Sequence, residues 1–153
     1  MTAVVGVSTD GVRIPLSRQS AARIARAVLT AERVRHAMIS VAFVGAPAIR
    51  ALNRRHLRRH GATDVIAFGF RSAGRRSPIV GDIYIAPDVA RTSARANGVS
   101  VREELTRLIV HGTLHVLGYD HPDGDARTRS AMWRRQERLV KRVAPRRRGH
   151  VRA

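Results

Sequence analysis

Residues Ser100 to His121 have the sequence SVREELTRLIVHGTLHVLGYDH. This stretch is the most informative about the fold because it predicts the central helix and the turn that follows it. Apolar residues recur every three or four positions between Leu105 and Val116, which is typical of a helix with one buried face. Ser100 followed by Glu103 matches a capping box, in which each side chain satisfies a free backbone N–H of the other residue. Gly118 suits the first position beyond the helix. We therefore predict one long core helix with a sharp turn after it.

Three of the seven histidines lie in the second half of this stretch. His111 and His115 are four residues apart, so their rings project from the same side of the predicted helix, one turn apart. Gly118 ends the helix, and the next three residues give the chain enough length for His121 to return to the first two. Three neutral imidazoles with an open fourth position are typical of catalytic zinc sites, whereas structural zinc sites have four protein ligands. The spacing therefore predicts a metal site at His111, His115 and His121.

A second pair of histidines, His56 and His60, has the same spacing. This pair lies near a predicted helix C-terminus, where a histidine can interact with the helix dipole. No third histidine or terminating turn accompanies it, so we predict that it does not bind a metal. The chain has no cysteine, which excludes disulfides and limits metal ligands to imidazole and carboxylate groups.

The chain is strongly basic, with 29 lysine and arginine residues against 11 acidic residues and a formal net charge of +18. An excess of this size favours a polyanionic partner, most often nucleic acid, over a membrane surface or a simple contribution to solubility. The loop Arg71–Arg76 and the tail arginines 146–148 are candidate phosphate contacts, although each segment is also compatible with a solvated surface.

The length and patterning predict one domain. With 153 residues, the chain can bury a single core, and we expect that domain to span residues 1–144, followed by a basic, disordered tail at 145–153. No apolar run approaches the roughly 18 residues of a membrane span. The N-terminal MTAVVGVSTDG lacks the basic start of a secretory leader, so we expect a cytoplasmic protein.

Strands and helices are predicted to alternate before the core helix. The strands are expected at Val4–Val7, Ile39–Phe43, Asp64–Phe70 and Ile79–Ile85, with another extended piece at Val12–Ile14. The other helices are expected from Ser17 to about Val34, Pro47 to about Arg59, Pro87 to about Gly98, and Asp125 to Val143. The last helix is expected to bury Met132, Trp133, Leu139, Val140 and Val143. This order predicts a layered α/β or α+β fold.

HGTLHVLGYDH resembles the signature HGxLHLxGYDH of the endoribonuclease YbeY family, also called rRNA maturation factors. The segment LNRRHLRRHGATDVIAF, from Leu52 to Phe68, is similar to the family's LNxxYRxKDxPTDVLSF. Gly81–Ile83 matches the family's GDI strand, and Met132 with Glu137 fits its downstream Met…Glu helix. The similar segments cover Ile39 to Val140, which is about two-thirds of the chain.

The resemblance implies a four-stranded mixed sheet packed with about five helices, and one zinc ion per chain at His111, His115 and His121. It implies metal-dependent cleavage of single-stranded RNA in rRNA processing, notably 3′-end maturation of 16S rRNA, and a role in ribosome biogenesis and quality control. The implied partners are rRNA, the small ribosomal subunit, a small-subunit ribosomal protein and an assembly GTPase, with no membrane.

The chain departs from the family pattern in the Leu52–Phe68 segment. The family's usual arginine, five residues after the Leu-Asn start, falls on Leu57 here, so Arg58 or Arg59 becomes the candidate for that charge. His60, Ala62 and Ala67 stand where an acid, a proline and a serine are common. These differences concern substrate contacts, not the metal site. The candidate RNA-binding residues are Arg58, Arg59, Arg75 and Arg76, with Arg59 as a candidate catalytic residue.

The residue that handles the proton is harder to assign. In HExxH proteases a glutamate follows the first histidine, but here that position is Gly112, which argues against a metalloprotease. We expect Gly112 to leave room for backbone or substrate. Asp120 is the candidate general base, although a hydrogen bond to a ligand imidazole or a role in capping the turn is the interpretation that we favour. Either water or the 2′-hydroxyl of the RNA can be the nucleophile.

Three further residues near the site are interpreted as structural. We expect Tyr119 to pack, and Thr63 and Asp64 to fix the junction between a loop and a strand. The main alternative to the enzyme is a ribosome-assembly factor that binds RNA, has a structural zinc and does not cut.

Overall fold

A four-stranded mixed sheet organises the protein in the computed structural model, which describes residues 2–57, 63–70, 77–122 and 124–143. The strand order is β1-β2-β4-β3; β1, β2 and β4 are parallel, and the edge strand β3 is antiparallel to β4. The strands are β1 (Thr2–Thr9), β2 (His36–Phe43), β3 (Val65–Phe70) and β4 (Ile79–Ile85).

The described residues form five α-helices beside this sheet, which confirms the predicted α+β fold. They are α1 (Arg18–Ala31), α2 (Ala46–Leu52), α3 (Pro87–Asn97), α4 (Val101–Val116) and α5 (Ala131–Val143). A π-helical turn, Asn53–Leu57, continues α2, and a 3₁₀ turn, Gly124–Arg129, precedes α5. Within the described ranges, no helix is long and apolar enough to cross a bilayer.

The central helix α4 begins and ends where its sequence predicts, but only the Ser100 half of the predicted capping box forms. The Ser100 hydroxyl accepts a hydrogen bond from the Glu103 backbone N–H at 3.1 Å, and the Glu103 carboxylate lies 3.7 Å from Arg107. At the other end, Gly118 has a φ of 103°, a left-handed conformation that favours glycine. Its N–H donates to His115 O, and the N–H of Tyr119 donates to Leu114 O. This pair of bonds is a Schellman motif, which reverses the chain at the end of α4.

The C-terminal half of α4 lies close to the sheet because three residues at the contact have no side chain. Gly69 and Gly81 belong to the sheet, and Gly112 belongs to the helix. A Cβ atom added to Gly81 of β4 would lie 2.3 Å from Val116 Cγ1, and one added to Gly69 of β3 would lie 2.8 Å from Val116 O. A Cβ atom at Gly112 would lie 2.7 Å from Ile83 Cγ2. The expectation that Gly112 leaves room for substrate is therefore wrong. It is buried, and its missing side chain lets α4 rest on Ile83.

Replacing Gly112 by valine should destabilise the protein by about 1–3 kcal/mol, since the new side chain meets Ile83 in a core that is already filled. Chemical denaturation measures the change in the free energy of unfolding. Gly6→Val is the matched control, because Gly6 is exposed on β1 with nothing within 4 Å of its added Cβ. Adding Ile83→Ala to Gly112→Val should restore part of the loss. Equal stability of the Gly112 and Gly6 variants would contradict the close packing of α4.

Two predicted helix boundaries are wrong, each for a local reason. Helix α1 ends at Ala31, not near Val34, because Arg33 adopts a left-handed φ of 58° and closes a second Schellman motif. Helix α5 begins at Ala131, not near Asp125. The Ser130 hydroxyl accepts the backbone N–H of Trp133 at 3.2 Å, as a helix N-cap does, and the preceding residues form the 3₁₀ turn.

Other predictions differ more modestly from the structure. The extended piece Val12–Ile14 pairs with no strand among the described residues. The second helix changes from α to π geometry at Asn53, and its expected end at Arg59 lies outside the described residues, as do the 71–76 loop and the 145–153 tail. Trp133 and Val143 are half-buried, whereas Met132, Leu139 and Val140 are buried as predicted.

Candidate metal centre

The structure brings together the three histidines whose spacing predicts convergence. The ring centroids of His111 and His115 lie 4.6 Å apart, those of His111 and His121 5.1 Å apart, and those of His115 and His121 5.0 Å apart. One ring nitrogen from each histidine lies within 4.8 Å of the others. Nitrogens bound to one zinc at 2.0–2.1 Å would be separated by less than this, so a small adjustment of the rings admits the ion.

Helix α4 and the turn after it position the three rings. His111 and His115 lie on the same side of the helix, and the Schellman motif at Gly118 directs the chain back toward them. Asp120 then accepts the backbone N–H of His121 on its Oδ1 atom at 2.8 Å, which stabilises the turn. This is the capping role favoured from the sequence. Asp120 is exposed and also lines the cleft described below.

Two of the rings use one nitrogen each in a hydrogen bond to the protein. Nδ1 of His111 lies 2.6 Å from the Gln136 Oε1 atom, and Nδ1 of His121 lies 3.0 Å from the Pro122 carbonyl oxygen. Amide and carbonyl oxygens can only accept, so the bonded nitrogens of His111 and His121 carry the proton, and Nε2 presents its lone pair. Such outer hydrogen bonds are typical of histidines that bind metals.

Burial favours the uncharged form of two of the imidazoles, those of His111 and His115. It lowers the pKa of His111 from its usual 6.5 to about 4, against the opposing effect of the Gln136 hydrogen bond. Burial and the neighbouring His121 also lower the pKa of His115. Neutral imidazole is the form that binds a metal, so these two rings are ready to do so near pH 7 without first losing a proton.

The donor set fits zinc or a similar divalent ion. Imidazole nitrogen is a preferred zinc ligand, and the trio is the one group of metal-ligating side chains found within the described parts of the chain. No fourth histidine or carboxylate of those parts joins the trio, so a position would be left for solvent or substrate. His56 lies apart from it, with its ring packed edge-on against Phe68 at 5.1 Å, and His60 lies outside the described residues.

A cleft of about 930 Å³ opens beside the three histidines. Its walls come from α4, α5, the end of α3, the start of β3 and the 3₁₀ turn. Four carboxylates line it, those of Asp64, Glu104, Asp120 and Glu137. Burial raises the pKa of Asp64 and also that of Glu104.

Two of the cleft carboxylates, those of Glu104 and Glu137, are paired with one arginine. Arg107 holds Glu137 with two hydrogen bonds, Nε to Oε1 at 2.8 Å and Nη2 to Oε2 at 3.3 Å. Its Nη1 atom lies 3.3 Å from Glu104 and 3.7 Å from Glu103. Since α4 supplies the arginine and α5 supplies Glu137, this network ties the two helices together beside the histidines.

The remaining residues singled out from the sequence have varied positions. The backbone oxygen of Asp64 accepts the Ala86 N–H at 2.9 Å, which fits its expected role at the strand junction, and its side chain reaches the cleft. Tyr119 packs beside the core and donates its hydroxyl to Glu32 at 2.8 Å. The candidate RNA-binding arginines lie outside the described residues; they are Arg58, Arg59, Arg75 and Arg76.

Gln136 was not predicted as a site residue from the sequence. Its side chain is 1% exposed and is hydrogen-bonded to His111, which lies 25 residues earlier in the chain. A clue was present in the periodicity. Gln136 lies four residues after Met132 and three before Leu139, so it is a polar residue on the buried side of α5. Buried amides need partners, and the sequence alone did not indicate which partner.

These features define an α+β protein with a three-histidine cluster that could hold a metal ion at the wall of an open cleft. The chain belongs to the endoribonuclease YbeY family, because the family model described as endoribonuclease YbeY matches residues 8–144.

Individual relatives agree with this assignment. An endoribonuclease YbeY of Anaeromyxobacter sp. (strain Fw109-5) is 41% identical over 110 residues, which are 70% of this chain and 57% of that protein. The protein of the same name from Syntrophus aciditrophicus is 29% identical over 143 residues, covering 91% of this chain and 89% of the relative. A solution structure from Thermotoga maritima has a TM-score of 0.60 at 22% identity, with 92% of this chain and 89% of that chain covered, and it supports the fold.

Proposed function

We propose that the protein is a zinc-dependent endoribonuclease that cuts single-stranded RNA. The observation that carries this proposal is the position of the three histidines, which bring one ring nitrogen each to within 4.8 Å of the others at the wall of an open cleft. A structural zinc site would be closed by a fourth protein ligand. The names of the relatives support RNA as the substrate, and the net charge of +18 suits a polyanion.

The protein's own groups prepare the site for this chemistry. Gln136 and the Pro122 carbonyl hold two rings in the tautomer that binds a metal, and burial keeps His111 neutral. When bound, zinc supplies a Lewis acid that polarises a phosphoryl oxygen and activates water. Asp120 remains our candidate general base. Its Oδ1 atom caps the turn, so proton transfer would use the Oδ2 atom.

We further propose a cytoplasmic role in rRNA processing, notably 16S rRNA 3′-end maturation, and in ribosome biogenesis. The family membership and the basic charge support this role. The proposed partners are rRNA, the small ribosomal subunit with one of its proteins, and an assembly GTPase. Arg59 remains our candidate catalytic residue, with Arg58, Arg75 and Arg76 as further RNA contacts.

Removing zinc from the purified protein should abolish cleavage of a labelled single-stranded RNA, and one equivalent of zinc should restore it. The reason is that the proposal assigns activation of the attacking oxygen to the metal ion, which the three histidines would hold. A duplex of the same sequence should be cut much more slowly. Gel analysis of products and measurement of bound metal provide the test.

The control is the same stripping procedure followed by magnesium, which binds imidazole poorly. Cleavage that persists in zinc-free, magnesium-treated protein would contradict the proposal. Zinc-loaded, folded protein that binds RNA tightly but never cuts it would instead support an assembly factor with a structural zinc.

A further inference from the structure

An arginine and a tryptophan form a pair at the edge of the cleft, beside the metal centre. The guanidinium carbon of Arg127, in the 3₁₀ turn, lies 5.7 Å from the ring centroid of Trp133, within the range of a cation–π interaction. Both residues line the same cleft as the three histidines. Trp133 lies one turn before Gln136 on α5, so the helix that orients His111 also carries the ring beneath Arg127.

Arg127 differs from the other arginine of the described cleft wall in its charge environment. Arg107 is surrounded by Glu103, Glu104 and Glu137, and its charge is compensated by them. Arg127 has no carboxylate within 4.0 Å among the described residues, and its neighbour is the neutral indole of Trp133. The Arg127 guanidinium therefore keeps its hydrogen-bond donors available for an anion.

Arg127 lines the same cleft wall as His111 and Asp64, and its charge lowers the pKa of both groups. An RNA phosphate entering this cleft would also face the carboxylate of Asp64 and the paired carboxylates of Glu104 and Glu137. A phosphate next to these groups needs a cation to offset their repulsion. Among the described lining residues, Arg127 is the cation that is not already paired.

We infer that Arg127 binds a phosphate of the RNA backbone beside the three-histidine centre, and that Trp133 is the positioning residue that holds its guanidinium in place. This inference rests on the proposed function for the identity of the anion. Arginine suits the task because its planar donors match phosphate oxygens while its face stacks on an aromatic ring. The indole restricts the side chain before the RNA arrives, which reduces the ordering that binding would otherwise require.

The test measures binding separately from cleavage. A fluorescein-labelled single-stranded 2′-O-methyl oligoribonucleotide, checked for integrity on a gel, is titrated with zinc-loaded protein over a series of salt concentrations. Arg127→Ala should weaken binding by about tenfold, the scale of one charged hydrogen-bonded contact. It should also lower the slope of log affinity against log salt by about 0.7, the value for one phosphate contact on a single strand. Bound zinc should be unchanged.

Matched variants separate phosphate binding from a general effect of charge. Arg129→Ala removes the same charge from the same exposed turn, at a position that does not line the cleft, so it should stay within about twofold of the wild type. Arg127→Lys should recover part of the affinity and the full salt slope, since it keeps the charge without the fork of donors. Trp133→Phe should retain more of the affinity than Trp133→Leu, because only the former keeps an aromatic face under Arg127.

The outcomes distinguish this inference from the proposed function. Equal affinity and salt slope for Arg127→Ala and Arg129→Ala would overturn the role of Arg127, even if the wild type cuts RNA. A wild-type protein that never cuts RNA but shows the Arg127-specific loss of binding would overturn the proposed activity and leave the phosphate contact supported.

Discussion

Replacing His111 by alanine should abolish RNA cleavage and weaken zinc binding by more than about a hundredfold. Loss of a hydrogen-bond partner of a ligand already costs 10–100-fold in metal affinity or activity, and loss of the ligand itself should cost more. His111 contacts both other histidines and is held by Gln136, so the remaining two rings cannot retain the same geometry. Chelator competition measures the affinity, and the single-stranded RNA assay measures the rate.

His56→Ala provides the matched control. His56 belongs to the other pair of histidines spaced by four residues, and its ring packs against Phe68, away from the trio. We expect this variant to keep its zinc and its rate. His121→Ala repeats the test at the third histidine, which lies on the turn after α4 and outside the helix. Cleavage at the wild-type rate by the folded His111 and His121 variants would contradict a mechanism that depends on the metal.

Replacing Gln136 by leucine should lower zinc affinity by about 10–100-fold while the fold is retained. The side chain is 1% exposed, and its Oε1 atom accepts a hydrogen bond from Nδ1 of His111 at 2.6 Å. Leucine has a similar volume but no acceptor, so His111 would lose the bond that sets its tautomer and ring orientation. Chelator competition measures the affinity, and the visible spectrum of the cobalt-substituted protein reports the coordination geometry.

Two further variants separate this positioning role from simple packing. Gln136→Glu keeps an acceptor for the His111 N–H, so we expect it to bind zinc far better than Gln136→Leu does. Met132→Leu changes a buried side chain of the hydrophobic core one turn earlier on α5, and it should alter stability while leaving zinc affinity unchanged. If the leucine variant at 136 bound zinc as tightly as the wild type, the amide would have only a packing role.

The variants at His111 and at Gln136 both test the packing of α4 against α5 at the three histidines. His111 and His115 belong to one helix, and the bond from Gln136 to His111 joins this helix to α5. The Arg107–Glu137 pair makes a second connection between the same helices. The position of α5 therefore bears on three features at once: the His111 tautomer, the carboxylates of the cleft wall and the Arg127–Trp133 pair. A change that moved α5 would be expected to alter all of them together.

Features that depend on interactions between residues close together in the chain could be predicted from the sequence alone. The period of apolar residues, the Ser100 cap and the left-handed Gly118 placed α4 and its reversal, because these interactions span at most five positions. The four-residue spacing of His111 and His115 is likewise a property of any helix, and the short return segment allows His121 to approach them.

The contacts that α4 and the turn after it make with other elements depend on the tertiary structure and could not be predicted from the sequence. Gln136 is a partner of His111 because α5 docks on α4, Gly112 touches Ile83 because α4 rests on the sheet, and Trp133 lines a cleft instead of a core. The physical reason is that helical periodicity specifies which face of an element is apolar, but not which residues of another element will meet it. Those contacts, made across 25 or more residues of chain, arise when the elements pack.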